Sequence, residues 1–172
     1  IFMSSEGVDK ASPQWGSIAL ATTSKAKISR RLAWRAMAAG WTDDILDFWD
    51  DFSDDGILEQ RTDEMADAPM ASLCVSQKLA AGETKEVTFL LTWHFPNRYT
   101  WTADGQNQGT ECECKNWNKR EFIGNHYTVR FADARDVAVQ TAGSLSKLED
   151  KTVEFVRSVC QSDMPAQVLE AA

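Results

Sequence analysis

The stretch LLTWHFPNRYTW, residues 90–101, holds Trp93, His94, Arg98 and Trp101 close together. Indole rings beside an imidazole suit the mouth of an active site or a surface on which sugar rings stack; they also suit the end of a buried strand. A second set is ECEC, with Cys112 and Cys114. A C-x-C pair can ligate a metal, but no second C-x-C and no H-x-x-H pattern completes a tetrahedral set, and His94 and His126 would have to be recruited by the fold. Cys112 and Cys114 are weak metal candidates, and no metal site is expected. A nucleophilic hydrolase needs a Ser or Cys held against a base; there is no G-x-S-x-G, and neither histidine has a compelling partner. A glycosidase needs two carboxylates facing across a cleft, whereas the acids here, as in DDILDFWDD, read as solvated helix faces and turns. No phosphate-binding glycine loop and no G-x-G-x-x-G is present, so no cofactor is expected. These residues offer no self-sufficient active site.

Elements must position whatever remains. A chain of 172 residues, 43% hydrophobic and 26% charged, supports one globular domain. A formal charge of −8 argues against a nucleic-acid partner, which needs clustered Lys and Arg. The basic cluster KAKISRR at 25–31 reads as part of a strand with one solvated face. No apolar run is long enough for a transmembrane helix, and the first residues lack the pattern of a signal peptide, so a cytoplasmic location is expected. Cys74 and Cys160 read as small buried hydrophobes. The chain does not begin with methionine, and a new helix begins just before its end; both features lead to the expectation of a piece of something longer.

The order is strands first and a long helix last. Residues 15–24 and 26–34 read as strands. Residues 41–58 switch to helical spacing, with Thr42 as cap, Ile45, Phe48, Trp49 and Phe52 on a buried stripe, and Gly56 as terminator. Residues 59–69 read as a loop. Residues 70–79 and 85–95 read as an antiparallel hairpin turning at Gly82, with Pro96 stopping the ladder. In the second of these, Val87, Phe89, Leu91, Trp93 and Phe95 share one face, which places Trp93 in the core. Residues 97–124 have no period and are too long for an idle connection. Trp101 and Trp117, in or beside this segment, are the better tryptophans for exposed contact. Residues 125–133 read as a strand. From Ala134 a helical stripe runs through Val137, Thr141, Leu145, Leu148, Thr152, Phe155, Val156 and Val159, capped by Asp133. Ser162 or Asp163 can cap a further helix, with Pro165 in its first turn.

Five blocks in order carry a resemblance: GSIALATTS at 16–24, FWDDFSDDGIL at 48–58, LAAGETKEVTFLLTWHFPNR at 79–98, GNHYTVRFADARDVA at 124–138 and LEDKTVEFVRSVCQSDMP at 148–165. Together they resemble the amino-terminal domain of glycoside hydrolase family 116, the bile-acid β-glucosidase or non-lysosomal glucosylceramidase group. The resemblance implies a mainly β fold, part of an antiparallel β-sandwich, over 1–133, with a short helix near 42–52. It implies a linker helix over 134–160 and the start of an (α/α) catalytic barrel at 161–172. Members are retaining β-glucosidases, some acting on glucosylceramide, and both catalytic carboxylates lie in the barrel; none is carried over to this chain. The implied partner is that barrel. The loop after residue 95 would shape the aglycone side of the cleft, with His94, Arg98, Trp101 and Trp117 as the residues that meet substrate. The expected function is that of a non-catalytic sandwich fragment, inactive alone, whose bare surfaces favour self-association. The alternative is an independent carbohydrate-binding or protein-interaction module; a small stand-alone hydrolase is a third reading.

Overall fold

The computed structural model describes residues 1–34, 43–60, 70–100 and 121–171. The chain divides into two compact units, Ile1–Ala138 and Val139–Ala172.

In the first unit the described strands form two antiparallel sheets. One has the order β1-β2-β5, from β1 (Phe2–Ser4), β2 (Ser17–Thr22) and β5 (Phe89–His94). The other pairs β3 (Lys27–Arg31) with β4 (Ser72–Ser76). The chain leaves the first sheet after Thr22 and returns to it at Phe89, so the arrangement is that of a β-sandwich. It is completed by a short helix α1 (Asp43–Asp55) and a long helix α2 (Ala134–Cys160) that begins in this unit. The expected strands over 15–24 and 26–34 and the expected helix over 41–58 are present, each trimmed at its ends. β1 has no clear sequence signal. It joins at the edge through Met3 opposite Ile18, and the terminal amine of Ile1 donates to the Leu20 carbonyl at 2.8 Å.

The hairpin over 70–95 does not form. Its turn does: Gly82 takes a positive φ of 77°, and Glu83 N–H bonds the Ala80 carbonyl at 3.0 Å. Yet β4 pairs with β3, and β5 pairs with β2 from Ser17 opposite His94 to Thr22 opposite Phe89. A turn supplies one hydrogen bond; a full ladder with a buried face outweighs it.

The face assignment of β5 also reverses. Phe89, Leu91 and Trp93 do share a face, but it is exposed, and Trp93 is 55% accessible. The polar phase is the buried one: Thr92 is 6% and His94 7% accessible. The reason is what covers it. The start of α2 lies on this face, where Ala134 and Ala138 are buried and contribute little side-chain bulk. The Thr92 hydroxyl donates to the Ala134 carbonyl at 2.7 Å, and the Ser17 hydroxyl accepts the Ala134 N–H at 3.0 Å. A polar strand face is stable in the interior when each group finds such a partner.

Helix α1 is rotated from the expected stripe. Ile45 and Trp49 are exposed, while Phe48 stacks on Trp34 with ring centroids 4.5 Å apart and on Phe52 at 6.0 Å. Arg31, at the end of β3, causes the rotation. Its side chain is fully buried and reaches Asp47 at 2.8 Å, Asp51 at 2.6 Å and the Glu59 carbonyl at 3.0 Å. Two acids one helical turn apart meet one guanidinium fork, and these carboxylates are therefore not the solvated ones their sequence implied. Arg31 likewise departs from the solvated reading of the basic cluster. Residues 58–60 run beside β3, with Leu58 N–H on the Ser29 hydroxyl at 3.0 Å and Gln60 bonded to the Arg30 carbonyl. The proposed cap Thr42 and most of the loop at 59–69 lie outside the described residues.

Residues 125–133 are not a strand. His126–Val129 form a 3-10 turn, and Val129 is exposed. The side chains here bind the backbone after β5 instead of building a ladder: Asn125 donates to the Phe95 carbonyl at 2.8 Å, and the Tyr127 hydroxyl accepts the Phe95 N–H at 2.9 Å.

The second unit contains the remainder of α2 and a short helix α3 (Ala166–Ala171). The stripe of α2 is exposed at Leu148, Phe155 and Val156. Cys160 is exposed rather than buried, at the end of the helix; Cys74, on β4, is half-buried. Ser162 does not cap α3, because its hydroxyl turns back to the Val159 carbonyl at 2.7 Å. Pro165 sits just ahead of α3, and its carbonyl accepts the N–H groups of Val168 and Leu169. Among the described residues no helix is long and apolar enough to cross a membrane.

Candidate functional site

The end of β5 organises the region that holds the predicted site residues. His94 closes the ladder, and Pro96, lacking an N–H, turns the chain away. Three neighbouring segments hold that turn. From one side, Asn97 donates to the carbonyls of Lys10 and Ser12 at 2.7 and 2.8 Å, and the Tyr99 hydroxyl donates to the Ala11 carbonyl at 2.7 Å. From another, Gly16 lies so close that a Cβ there would sit 2.4 Å from both the His94 carbonyl oxygen and the Phe95 ring. From the third, Ile123 and Gly124 donate N–H groups to the Arg98 carbonyl at 2.9 and 3.0 Å. Gly124 has a positive φ of 65°, which favours glycine at this bend.

The predicted residues meet different fates. His94 is buried, with its ring edge-on to Tyr127 at 6.0 Å and Nε2 at 2.9 Å from the Phe131 carbonyl. A carbonyl only accepts, so Nε2 carries the proton and Nδ1 presents a lone pair in the neutral ring. Arg98 is exposed at the stem of the segment that follows. That stem is stapled: Thr100 N–H bonds the Glu121 carbonyl at 2.8 Å, Glu121 N–H bonds the Thr100 hydroxyl at 3.0 Å, and the Tyr99 and Phe122 rings meet edge to face at 5.5 Å. Trp101, Trp117, Cys112 and Cys114 lie outside the described residues. Among the described residues no three metal-ligating side chains come together.

Beside His94 the fold forms a cavity of ≈ 290 Å³, lined by Phe2, Ser4, Trp15, His94 and Asp133 among others. β1 supplies Phe2 and Ser4, on the same sheet face as His94, since Ser4 pairs with Ser17 and Ser17 with His94. Trp15 comes from the approach to β2. Asp133 comes from the start of α2, where its Oδ1 accepts the Asp136 N–H at 2.8 Å as the expected helix cap, and Asp136 in turn accepts the Ala132 N–H at 3.1 Å. Of these lining groups only His94 is a site candidate from the sequence. Trp15 and Asp133 are far apart in the chain, and no local motif joins them. The one available signal is Gly16 beside Trp15, a residue type that marks close backbone approach.

The family model described as beta-glucosidase 2, glycosyl-hydrolase family 116 N-term, matches residues 1–148. The match covers most of the chain, which therefore belongs to this amino-terminal domain family of a glycoside hydrolase. A search of the curated proteins finds no match.

Proposed function

We propose, from membership of the family 116 amino-terminal domain family, that this chain is the non-catalytic β-sandwich part of a retaining β-glucosidase or glucosylceramidase-like enzyme. Its role is to support an (α/α) catalytic barrel and to shape the aglycone side of the barrel's cleft. The family match over 1–148 carries this reading. Chemistry agrees with it. A retaining glycosidase needs two carboxyl groups roughly 5 Å apart with access to the sugar. Asp47 and Asp51 are instead both held by a buried Arg31. In this proposal residues 1–133 are the sandwich, 134–160 are the linker helix, and 161–172 lead into the barrel.

In this reading Arg98, exposed on a stapled stem, reaches the neighbouring domain, together with Trp101 and Trp117 of the segment that follows. His94 contributes from behind by fixing the strand end. Cytoplasmic residence is part of the same reading. The test is hydrolysis of an aryl β-glucoside. The chain alone should give no turnover, and the chain joined to a family 116 barrel should give it. Equal turnover by the barrel alone would end the supporting role. Arg98→Ala in the joined protein should raise KM for bulky aglycones while leaving small aryl glucosides nearly unchanged.

A further inference from the structure

We propose that the cavity between Trp15, His94 and Asp133 is a binding site for one ring of a neutral, polyhydroxylated molecule. This site is separate from the surface of Arg98 and does not rest on the supporting role proposed above.

Unused polar atoms carry the inference. His94 is only 7% accessible, yet among the described residues Nε2 has a protein partner and Nδ1 has none. Buried polar atoms in native proteins are nearly always paired, with protein, water or ligand. The same cavity is lined by half-buried Asp133 and Trp15 and by exposed Ser4; among the described residues the second Asp133 oxygen, the Trp15 indole N–H and the Ser4 hydroxyl have no protein partner. This contrasts with Ser5 and Ser17 on the same wall, whose hydroxyls are bonded to Gly16 N–H and Ala134 N–H. The leftover set is two acceptors, one donor and one hydroxyl that is both. Two aromatic side chains, Phe2 and Trp15, complete the lining.

Only some ligands match that set. An anion meets the Asp133 carboxylate in a chain of net charge −8. A cation has donors only, and so leaves the Trp15 N–H of the lining without an acceptor. A purely apolar molecule leaves the polar atoms unpaired. A polyol ring gives hydroxyl protons to His94 Nδ1 and Asp133, accepts from Trp15, and lays its C–H face on an aromatic ring. At ≈ 290 Å³ the cavity accommodates one such ring, not a chain of them.

The experiment follows the indole N–H resonances and the histidine ring C–H resonances of the full chain while glucose, myo-inositol and methylammonium are titrated separately. Trp15 and His94 should shift together along one saturable curve with glucose or inositol, and not with methylammonium. Trp15→Phe, which keeps a ring but removes the donor, should weaken binding about fivefold, as expected for one lost hydrogen bond. Trp15→Ala should abolish binding. Asp133→Asn, which keeps a capping oxygen, should weaken it with little change in helix content. No saturable shift at Trp15 and His94, shifts confined to Trp101 or Trp117, binding unchanged in folded Trp15→Phe and Trp15→Ala proteins, or saturation by methylammonium would each overturn the assignment. The barrel-dependence assay reads the supporting role alone, so the two proposals fail separately.

Discussion

Two polar clusters in the first unit are built on opposite terms. Around Arg31 the guanidinium is used on every side: Nε on the Glu59 carbonyl, one terminal nitrogen on Asp47 and the other on Asp51, with Phe48 under the plane at 5.8 Å. Around His94, among the described residues, only one of the two ring nitrogens has a partner. The first pattern ties β3, α1 and the chain after α1 into one body. The second leaves a cavity whose walls still have donors and acceptors to offer. Buried charge by itself does not identify a site; the arithmetic of partners separates a structural knot from a place where something binds.

Substitutions can break or sharpen that contrast. Arg31→Met should have the largest effect, since it removes the buried guanidinium that pairs with Asp47 and with Asp51, whose side chain is 5% accessible. We expect a loss of about 3–5 kcal/mol in urea unfolding; a loss below about 1 kcal/mol would show that the knot is dispensable. Gly16→Ala should cost about 1–3 kcal/mol, because its Cβ meets the His94 carbonyl at 2.4 Å and backbone must move. It should also disturb the His94 ring resonances, which Arg31→Met in its residual folded fraction should not. Asp133→Ala removes the α2 cap and should cost about 1 kcal/mol, read as lower thermal stability, with Asp133→Asn costing less. Trp93→Gln on the exposed face should change stability by no more than about 0.5 kcal/mol. Its effect should appear in sedimentation instead, as weaker self-association of the isolated chain, because Leu91 and Trp93 are exposed apolar side chains on one strand face. A wild-type monomer at high concentration would remove that expectation.

Much of this molecule is legible in its residues alone. The alternation in KEVTFLLTWHF identifies a strand and groups Phe89 with Leu91 and Trp93; the spacing after Ala134 identifies the long helix; Asp133 is recognisable as its cap. The five ordered blocks point to the family that the match over 1–148 establishes. The misreadings have a common origin. Gly82 advertises a hairpin, and Tyr127, Val129 and Phe131 advertise a strand, because local pattern describes a segment's own preferences and not its partners. Likewise the site is half visible: His94 stands out, while Trp15 and Asp133 come together only in the fold.

Periodicity along the chain determined which side chains share a face, since pleat and helical pitch are properties of the backbone. Which face turns inward was decided only in three dimensions. The small residues Ala134 and Ala138 and the carbonyls of Phe131 and Ala134 offered the polar phase of β5 a close cover that bonds the Thr92 hydroxyl and His94 Nε2. Arg31 turned α1 onto its acidic side by the same rule, because a buried guanidinium is stable only where carboxylates can reach it.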